Sequence, residues 1–190
     1  MSSSAERIDD FIASTRALTT EPLFLAEFPH PFLVREATSG GAPAPAGRAD
    51  RSTLRVPKKA AAPSGDGFAR EDVFIHRLRP RGDDPEQDAV TLGRDEACDV
   101  VVDEATVSLV HARFTLGEAA PTDDDDDGRR FFVADAGSSN GTFVDGAAIG
   151  EAPVLVADQV SLRFGPQAKF QFFTAASFFQ FLDFYRRIKR

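Results

Sequence analysis

Hydrophobic residues recur at helical spacing at both ends of this chain. Ile8, Phe11 and Ile12 fall at i, i+3 and i+4, which predicts an amphipathic helix over residues 4–18 with Ser4 as its N-cap. A second helix is predicted over residues 174–190, and its basic last turn suits the negative end of the helix dipole. Its apolar face comprises Phe178, Phe181, Leu182, Tyr185 and Ile188. We expect this face to pack against the rest of the protein rather than against a membrane or a partner.

From residue 72 onward the apolar stretches are short, and turn signals separate them. Strands are predicted over residues 73–78, 89–92, 99–102, 112–116, 131–135, 141–144, 159–164 and 169–173. The dipeptide Asp145-Gly146 is typical of a tight hairpin turn. Many short strands without helices between them indicate a mostly β protein, either a sandwich or a barrel.

The pattern before the strands is different. Pro29 and Pro31 interrupt an apolar stretch over residues 23–34, which predicts an edge strand or extended arm and not a helix. Residues 37–69 are rich in Ala, Gly, Pro, Ser and Arg, with Phe68 as the only aromatic residue. Such a segment buries too little apolar surface to offset its ordering entropy, so we predict a disordered linker.

These patterns divide the chain into four regions. They are an N-terminal helix and extended arm (1–36), the linker (37–69), a β domain (70–174) and a C-terminal amphipathic helix (175–190).

Composition narrows the class of protein. Eighteen Phe, one Tyr and no Trp indicate a core filled with phenyl rings. A net charge of −8 argues against a nucleic-acid partner. Cys98 is the single cysteine, so no intrachain disulfide can form, and we expect it to be a small buried residue. The chain has no apolar run of membrane-spanning length and no basic N-terminal signal, so we expect a cytoplasmic protein without membrane association.

Three polar segments carry the candidate chemistry: residues 92–94, 108–111 and 135–142. Arg94 supplies a planar fork of donors suited to an oxyanion, while Ser108 and Ser139 supply hydroxyls and Asn140 supplies an amide. This set suits a phosphate on a peptide, because no Walker-type or dinucleotide-binding loop is present.

The predicted strands would bring these segments together. If the strand after His111 is followed by an antiparallel return strand over residues 131–135, residues 138–141 arrive beside Ser108. The acidic run 123–127 then lies at the far turn, roughly 20 Å away, where salt screens its charge.

Some of these residue types also occur in catalytic and metal sites. Ser108, His111 and Asp135 are the residue types of a hydrolase triad, but no nucleophile elbow accompanies them, so we predict no catalytic residue. His30 and His76 are isolated and read as surface or strand histidines, and we expect no metal site and no cofactor. The run 123–127 is expected to be a solvated loop, and residues 81–83 (Arg-Gly-Asp) a turn.

Taken together, Gly-Arg, Ser-x-x-His and Asp-x-Gly-Ser-Ser-Asn-Gly-Thr-Phe-Val-x-Gly, in this order and spacing, resemble the forkhead-associated (FHA) domain. The resemblance covers roughly residues 72–174. It implies an eleven-stranded antiparallel β-sandwich whose loops at one end bind phosphothreonine peptides.

The resemblance also assigns roles to single residues. Arg94 and Ser108 would bind the phosphate, Ser139 would add a third contact, and Asn140 would hold the peptide backbone. Three further residues would support the shape of the site, namely Gly93, His111 and Gly141.

The sequence departs from the family pattern at three places. Leu109 and Val110 follow the motif serine where a basic residue is common, which indicates an altered peptide preference. Asp145 replaces the usual Asn of the hairpin turn, and Ala157-Asp158 replaces the usual Gly-Asp.

The function we predict is a phosphothreonine-binding adaptor of Ser/Thr kinase signalling, with a phosphorylated protein and a Ser/Thr protein kinase as partners. A phosphate-independent assembly module that uses the sandwich and the terminal helices is the alternative. Thr19, Thr20 and Thr53 are candidate phosphorylation sites, and a phosphorylated tail could fold back into the protein's own pocket.

Overall fold

The computed structural model describes residues 5–36, 73–82, 89–118 and 129–188. Within these ranges the chain forms twelve strands and three helices. The strands are β1 (Glu6–Arg7), β2 (Phe32–Glu36), β3 (Val73–Arg77), β4 (Ala89–Gly93), β5 (Val100–Val101), β6 (Ala112–Glu118), β7 (Arg129–Asp135), β8 (Thr142–Val144), β9 (Ala147–Ile149), β10 (Val154–Val156), β11 (Ser161–Phe164) and β12 (Ala168–Phe173). The helices are α1 (Ile8–Ser14), α2 (Glu21–Glu27) and α3 (Ala175–Ile188).

The strands form two sheets packed face to face. One sheet has the order β1-β3-β2-β12-β11-β8-β9, and the other has the order β10-β7-β6-β4-β5. Their inner faces share one core, in which Phe114 and Val133 of the second sheet meet Phe164 and Phe172 of the first. The predicted mostly β sandwich is confirmed, with twelve strands in place of eleven and a parallel pairing of β4 with β5.

A second core covers the outer face of the seven-stranded sheet. The three helices pack there on β2, β3 and β12, and Phe rings fill the contact. Phe32 of β2 stacks on Phe178 of α3 with ring centroids 3.9 Å apart. Arg77 of β3 places its guanidinium over the rings of Phe11 and Phe28. The phenyl-filled interior expected from composition is therefore split between the sandwich and this helical layer.

The prediction for residues 23–34 is wrong. Glu21–Glu27 form helix α2, with Pro22 in its first turn, where the missing N–H costs nothing. Pro29 and Pro31 fall in the connector between α2 and β2, so they interrupt neither element. Strand β2 follows them and lies between β3 and β12 in the middle of the sheet, not at an edge.

The terminal helices differ from their predictions at the ends. Helix α1 begins at Ile8 with Arg7 as its N-cap, and the predicted cap, Ser4, lies outside the described residues. Strand β1 takes the preceding positions because its backbone pairs with β3. On α3 the predicted apolar face is buried except at Ile188, which is 47% exposed at the last turn. Its burial confirms that the helix packs on the sandwich.

The predicted strands are confirmed with small shifts at their ends. The Asp145-Gly146 turn is also confirmed, since both residues have positive φ (47° and 83°) and join β8 to β9. Strands β9 and β10 were missed because each has three residues and most of their side chains are exposed. The predicted linker 37–69 and the acidic run 123–127 lie outside the described residues, and the predicted region boundaries stay predictions.

No helix within the described ranges is long and apolar enough to cross a lipid bilayer.

Candidate functional site

Three loops meet at one end of the sandwich, which we call the apical end. They are the turn after β4, the segment 102–111 before β6 and the segment 136–141 between β7 and β8. Strands β6 and β7 pair antiparallel with Ala112 opposite Asp135, as predicted. This pairing places Ser139 beside Ser108, and the Ser139 backbone N–H donates to Ser108 Oγ at 3.0 Å.

Arg94 directly follows β4 and is exposed at the apical end. Its backbone N–H donates to the Ser108 carbonyl at 2.9 Å. Its Nε donates to the Val107 carbonyl at 3.3 Å, which fixes the direction of the side chain. Among the residues that the structure describes, no carboxylate forms an ion pair with Arg94. The two terminal nitrogens of the guanidinium therefore remain available to an anion in this part of the chain.

Ser108 is held from three directions. Its carbonyl accepts from Arg94, its backbone N–H donates to His111 Nδ1 at 3.0 Å, and its Oγ accepts from Ser139. Because the oxygen already accepts one hydrogen bond, the hydroxyl hydrogen remains as a donor. Ser139 lies next to it on the adjoining loop and is exposed.

Asn140 belongs to the same loop and is also exposed. One N–H of its side-chain amide donates to the Thr106 carbonyl at 2.8 Å. The contact ties segment 136–141 to segment 102–111, so Asn140 has a structural role that the sequence did not predict. The amide group has a second N–H and a carbonyl oxygen with which it can bind a peptide backbone.

His111 braces the two loops from below. The ring is fully buried, Nδ1 accepts from the Ser108 N–H, and Nε2 lies 3.2 Å from the Gly141 carbonyl. Only the neutral ring protonated at Nε2 satisfies both contacts, because Nδ1 must accept. Burial lowers the pKa of His111, although the Gly141 carbonyl and the charge of Asp135 oppose the shift. The predicted structural role of His111 agrees with this geometry.

Asp135 holds the third segment in shape, a role that sequence reasoning missed. Its Oδ1 accepts from the N–H groups of Gly137 and Ser138, and its Oδ2 accepts from the hydroxyls of Ser138 and Thr142. Burial raises the pKa of this carboxyl, but the donors outweigh burial and the net pKa is lowered. The signal was present in the sequence, since Asp followed by Gly-Ser two residues later is typical of an Asx-type turn.

Two glycines are required by their surroundings. A Cβ at Gly93 would lie 2.0 Å from the Leu109 carbonyl oxygen, so only glycine permits this close approach of β4 to the Ser108 segment. Gly141 has φ of 77°, in the left-handed region. Both predicted shape residues therefore lie where a larger side chain would distort the site.

The triad alternative fails on geometry. The nitrogens of His111 contact backbone groups of Ser108 and Gly141, and the carboxylate of Asp135 contacts Ser138 and Thr142. Ser108 Oγ has no hydrogen bond to the ring among the described contacts, so the three side chains form no proton relay there. Within the described residues, no cluster of three His, Cys, Asp or Glu could hold a metal ion.

Cys98 is buried, and burial raises the pKa of its thiol. His76 is buried on β3 and is not a surface residue. Thr19 and Thr20 are exposed in the connection between α1 and α2, whereas Thr53 lies outside the described residues.

Comparison with known proteins agrees with the sequence motifs. The sequence profile of the FHA domain matches residues 90–165. No curated protein sequence shows significant similarity to the chain. The predicted FHA domain is thereby confirmed over the matched residues, and FHA domains are phosphopeptide-binding modules.

Several solved structures contain similar domains. Mycobacterium tuberculosis EmbR, in complex with a low-affinity phosphopeptide, is 29% identical over 46% of this chain and 20% of its own, with a TM-score of 0.37. The N-terminal FHA domain of S. cerevisiae Rad53p, in complex with a phosphothreonine peptide, is 23% identical over 48% of this chain and 72% of its own (TM-score 0.38). An FHA domain from Chlamydia trachomatis is 15% identical over 75% of this chain and 96% of its own (TM-score 0.43).

Proposed function

We propose that this protein binds phosphothreonine peptides and acts as an adaptor in Ser/Thr kinase signalling. The observation that carries the proposal is that the Arg94 guanidinium is oriented, exposed and free of any ion pair within the described residues. Its side chain is oriented by Val107, exposed at the apical end, and unpaired with any carboxylate of the described residues. A guanidinium fixed in this way beside a serine hydroxyl is suited to a phosphate, which brings a charge of about −1.5 to −2 and three acceptor oxygens.

In this proposal the four site residues contact different parts of the ligand. Arg94 and Ser108 bind the phosphate, and the Ser139 hydroxyl adds a third donor. Asn140 holds the peptide backbone next to the phosphothreonine with the amide atoms that its contact to Thr106 does not use. Because the loops are already joined by hydrogen bonds, little ordering entropy is lost when the peptide binds.

The competing proposal, a phosphate-independent assembly module, uses the sandwich and the terminal helices to contact a partner. Their largest apolar side chains, such as Phe11, Phe24 and Phe178, are instead buried inside the protein. These side chains pack inside the protein and are not exposed to a partner, which favours phosphopeptide binding as the function.

The proposal also covers the cellular location of the protein and its partners. We place the protein in the cytoplasm, where one cysteine and no disulfide are the ordinary condition, with a kinase that phosphorylates its partner. We assign it no catalytic residue, no cofactor, and no nucleic-acid or membrane partner.

Self-recognition through Thr19 or Thr20 would require part of the fold to open. Only eleven residues separate Thr20 from Phe32 of β2, and they include helix α2. Phe24 of α2 and Phe28, the C-cap of this helix, pack on Phe32 in the helical layer. No long flexible tether therefore joins this pair to the sheet, and we propose Thr19 and Thr20 only as exposed kinase sites.

Thr53 is the better candidate for a self-bound phosphothreonine. It follows β2 by seventeen residues, and β2 runs towards the apical end, where Arg35 pairs with Glu104 at 3.2 Å. Seventeen residues reach at most roughly 60 Å when extended, which is more than twice the length of the longest sandwich strands. Mass spectrometry after kinase treatment would locate the modified residues, and a Thr53→Ala variant would separate this site from Thr19 and Thr20.

The adaptor proposal is tested by a degenerate phosphothreonine peptide library, with the same library unphosphorylated as the control. We expect enrichment of bound peptides only in the phosphorylated set. Equal retention of both sets would refute the proposal and favour the assembly module.

A further inference from the structure

Two aliphatic side chains stand at the rim of the apical end without any part in the core. Leu109 is 56% exposed and Val110 is 40% exposed, and both belong to the segment between Ser108 and His111. Neither residue belongs to the sandwich core or to the helical-layer core. Single exposed aliphatic residues are ordinary, but this pair directly adjoins the residue proposed to bind phosphate.

The backbone beneath the pair is rigid. The Leu109 carbonyl accepts from the Asp95 N–H at 3.0 Å, and the His111 N–H donates to the Leu92 carbonyl at 2.8 Å. The missing side chain of Gly93 lets β4 approach the Leu109 carbonyl closely. These backbone hydrogen bonds hold Leu109 and Val110 in place at the rim, although neither side chain belongs to either core.

The charges around the pair restrict what it can contact. Glu96 and Asp103 are exposed on the flanking loops, and Asp95 is half-buried. Arg94 is the cation beside Ser108 that the phosphate would neutralise, and Arg81 places its guanidinium against the Glu96 carbonyl. An acidic side chain next to the phosphothreonine would therefore meet like charge, while an apolar one would meet Leu109 and Val110.

We propose that Leu109 and Val110 form an apolar subsite for a large aliphatic side chain of the bound peptide, and that the rim rejects acidic neighbours of the phosphothreonine. The inference rests on the proposed function, because it assigns a specificity to the same site. The aliphatic residue lies within about three positions of the phosphothreonine, since a bound extended peptide advances roughly 3.3 Å per residue.

The test uses the full chain and three phosphothreonine peptides that differ at one position: leucine, alanine or aspartate, scanned through the three positions on each side. At one position we expect the leucine peptide to bind about tenfold more tightly than the alanine peptide, the gain for burying most of two to three methylene groups. The aspartate peptide should bind more weakly than the alanine peptide at the same position.

The variant L109S/V110S should reduce the ratio of leucine to alanine affinity to about one, and Leu109→Ala should reduce it in part. Leu23→Ser is the matched control, because Leu23 is similarly exposed (53%) but lies on α2 in the helical layer. For this variant the ratio of leucine-peptide to alanine-peptide affinity should equal that of the unmodified protein. If phosphorylated peptides bind with no aliphatic preference, or if L109S/V110S retains it, the subsite is refuted while the adaptor stands. If no phosphorylated peptide binds at all, the proposed function itself fails.

Discussion

The backbone N–H of Ser139 donates a hydrogen bond to the side-chain oxygen of Ser108 at 3.0 Å, across thirty-one positions of sequence. This contact joins the loop before β6 to the loop after β7. It exists because β6 and β7 pair over seven positions, which brings both loops to the same end of the sandwich. The site is therefore a product of strand pairing, and its two halves are assembled before any peptide arrives.

Gly93→Ala tests the close approach on which the site depends. The new Cβ would lie 2.0 Å from the Leu109 carbonyl oxygen, so the two segments must separate. We expect a loss of about 2 kcal/mol or more in the free energy of unfolding, together with weaker phosphopeptide binding. Thermal unfolding and calorimetry measure both.

The matched control is Gly150→Ala, because a Cβ there meets nothing within 4 Å. It should leave melting temperature and binding unchanged. Equal effects of the two substitutions would show that stability and binding do not depend on the close approach of Gly93 to the Leu109 carbonyl.

His111→Ala should lower both stability and binding. It removes a fully buried ring, the acceptor of the Ser108 N–H and the contact to Gly141. We expect a loss of about 2–4 kcal/mol and a melting temperature lower by on the order of 10 °C. Arg94→Ala should leave the melting temperature nearly unchanged in phosphate-free buffer, because the guanidinium is exposed and forms no ion pair in the described ranges. A large drop for Arg94→Ala with none for His111→Ala would reverse these roles.

The stability should fall in mild acid because of His76. Burial, with a smaller contribution from the charge of Arg35, lowers the pKa of His76 from 6.5 to about 4. Below pH 6.5 His76 is therefore protonated in the unfolded chain but still neutral in the folded protein, which favours the unfolded chain. The contribution of His76 to stability is full above pH 6.5 and is lost as the pH falls towards 4. The loss from this group is about 3 kcal/mol. His111, whose pKa is also lowered, contributes in the same direction.

His76→Leu is the variant that isolates this effect. Nδ1 of His76 is buried and has no hydrogen-bond partner among the described residues, so an apolar side chain removes an unsatisfied group and fills the same space. Denaturant unfolding at pH 7 and pH 4.5 should show a smaller difference for the variant than for the unmodified protein. An identical pH dependence would assign the acid sensitivity to other groups.

The N-terminal region should be needed for folding. Strand β2 lies between β3 and β12 and carries Leu33 into the sandwich core. A fragment of residues 70–174, the β domain predicted from sequence, lacks both β1 and β2, the two strands that pair with β3. We expect the fragment to lack a cooperative unfolding transition that the full chain shows. A folded fragment with dispersed amide resonances would mean that β2 is dispensable.

The sequence predicted the parts of this protein that follow from local pattern and family motif. The alternating strands of the sandwich, the Asp145-Gly146 hairpin and the meeting of Ser108 with residues 138–141 were all anticipated. Helix α2 and the central place of β2 were missed, because Pro29 and Pro31 lie in a connector and were read as part of a strand. The role of Asp135 was missed because its partners lie within the loop that follows it. From sequence alone, a carboxylate in such a loop is equally compatible with a contact to a ligand.

The most direct test of the account is calorimetry of one peptide in phosphorylated and unphosphorylated form, with the full chain and its Arg94→Ala variant. Arg16→Ala, which changes an exposed arginine beyond α1, is the control. We predict micromolar binding of the phosphothreonine form, about −8 kcal/mol, and a loss of at least ~2 kcal/mol, about thirtyfold, in Arg94→Ala alone. Equal affinity for the two forms of the peptide, or unchanged affinity in Arg94→Ala, would contradict the account.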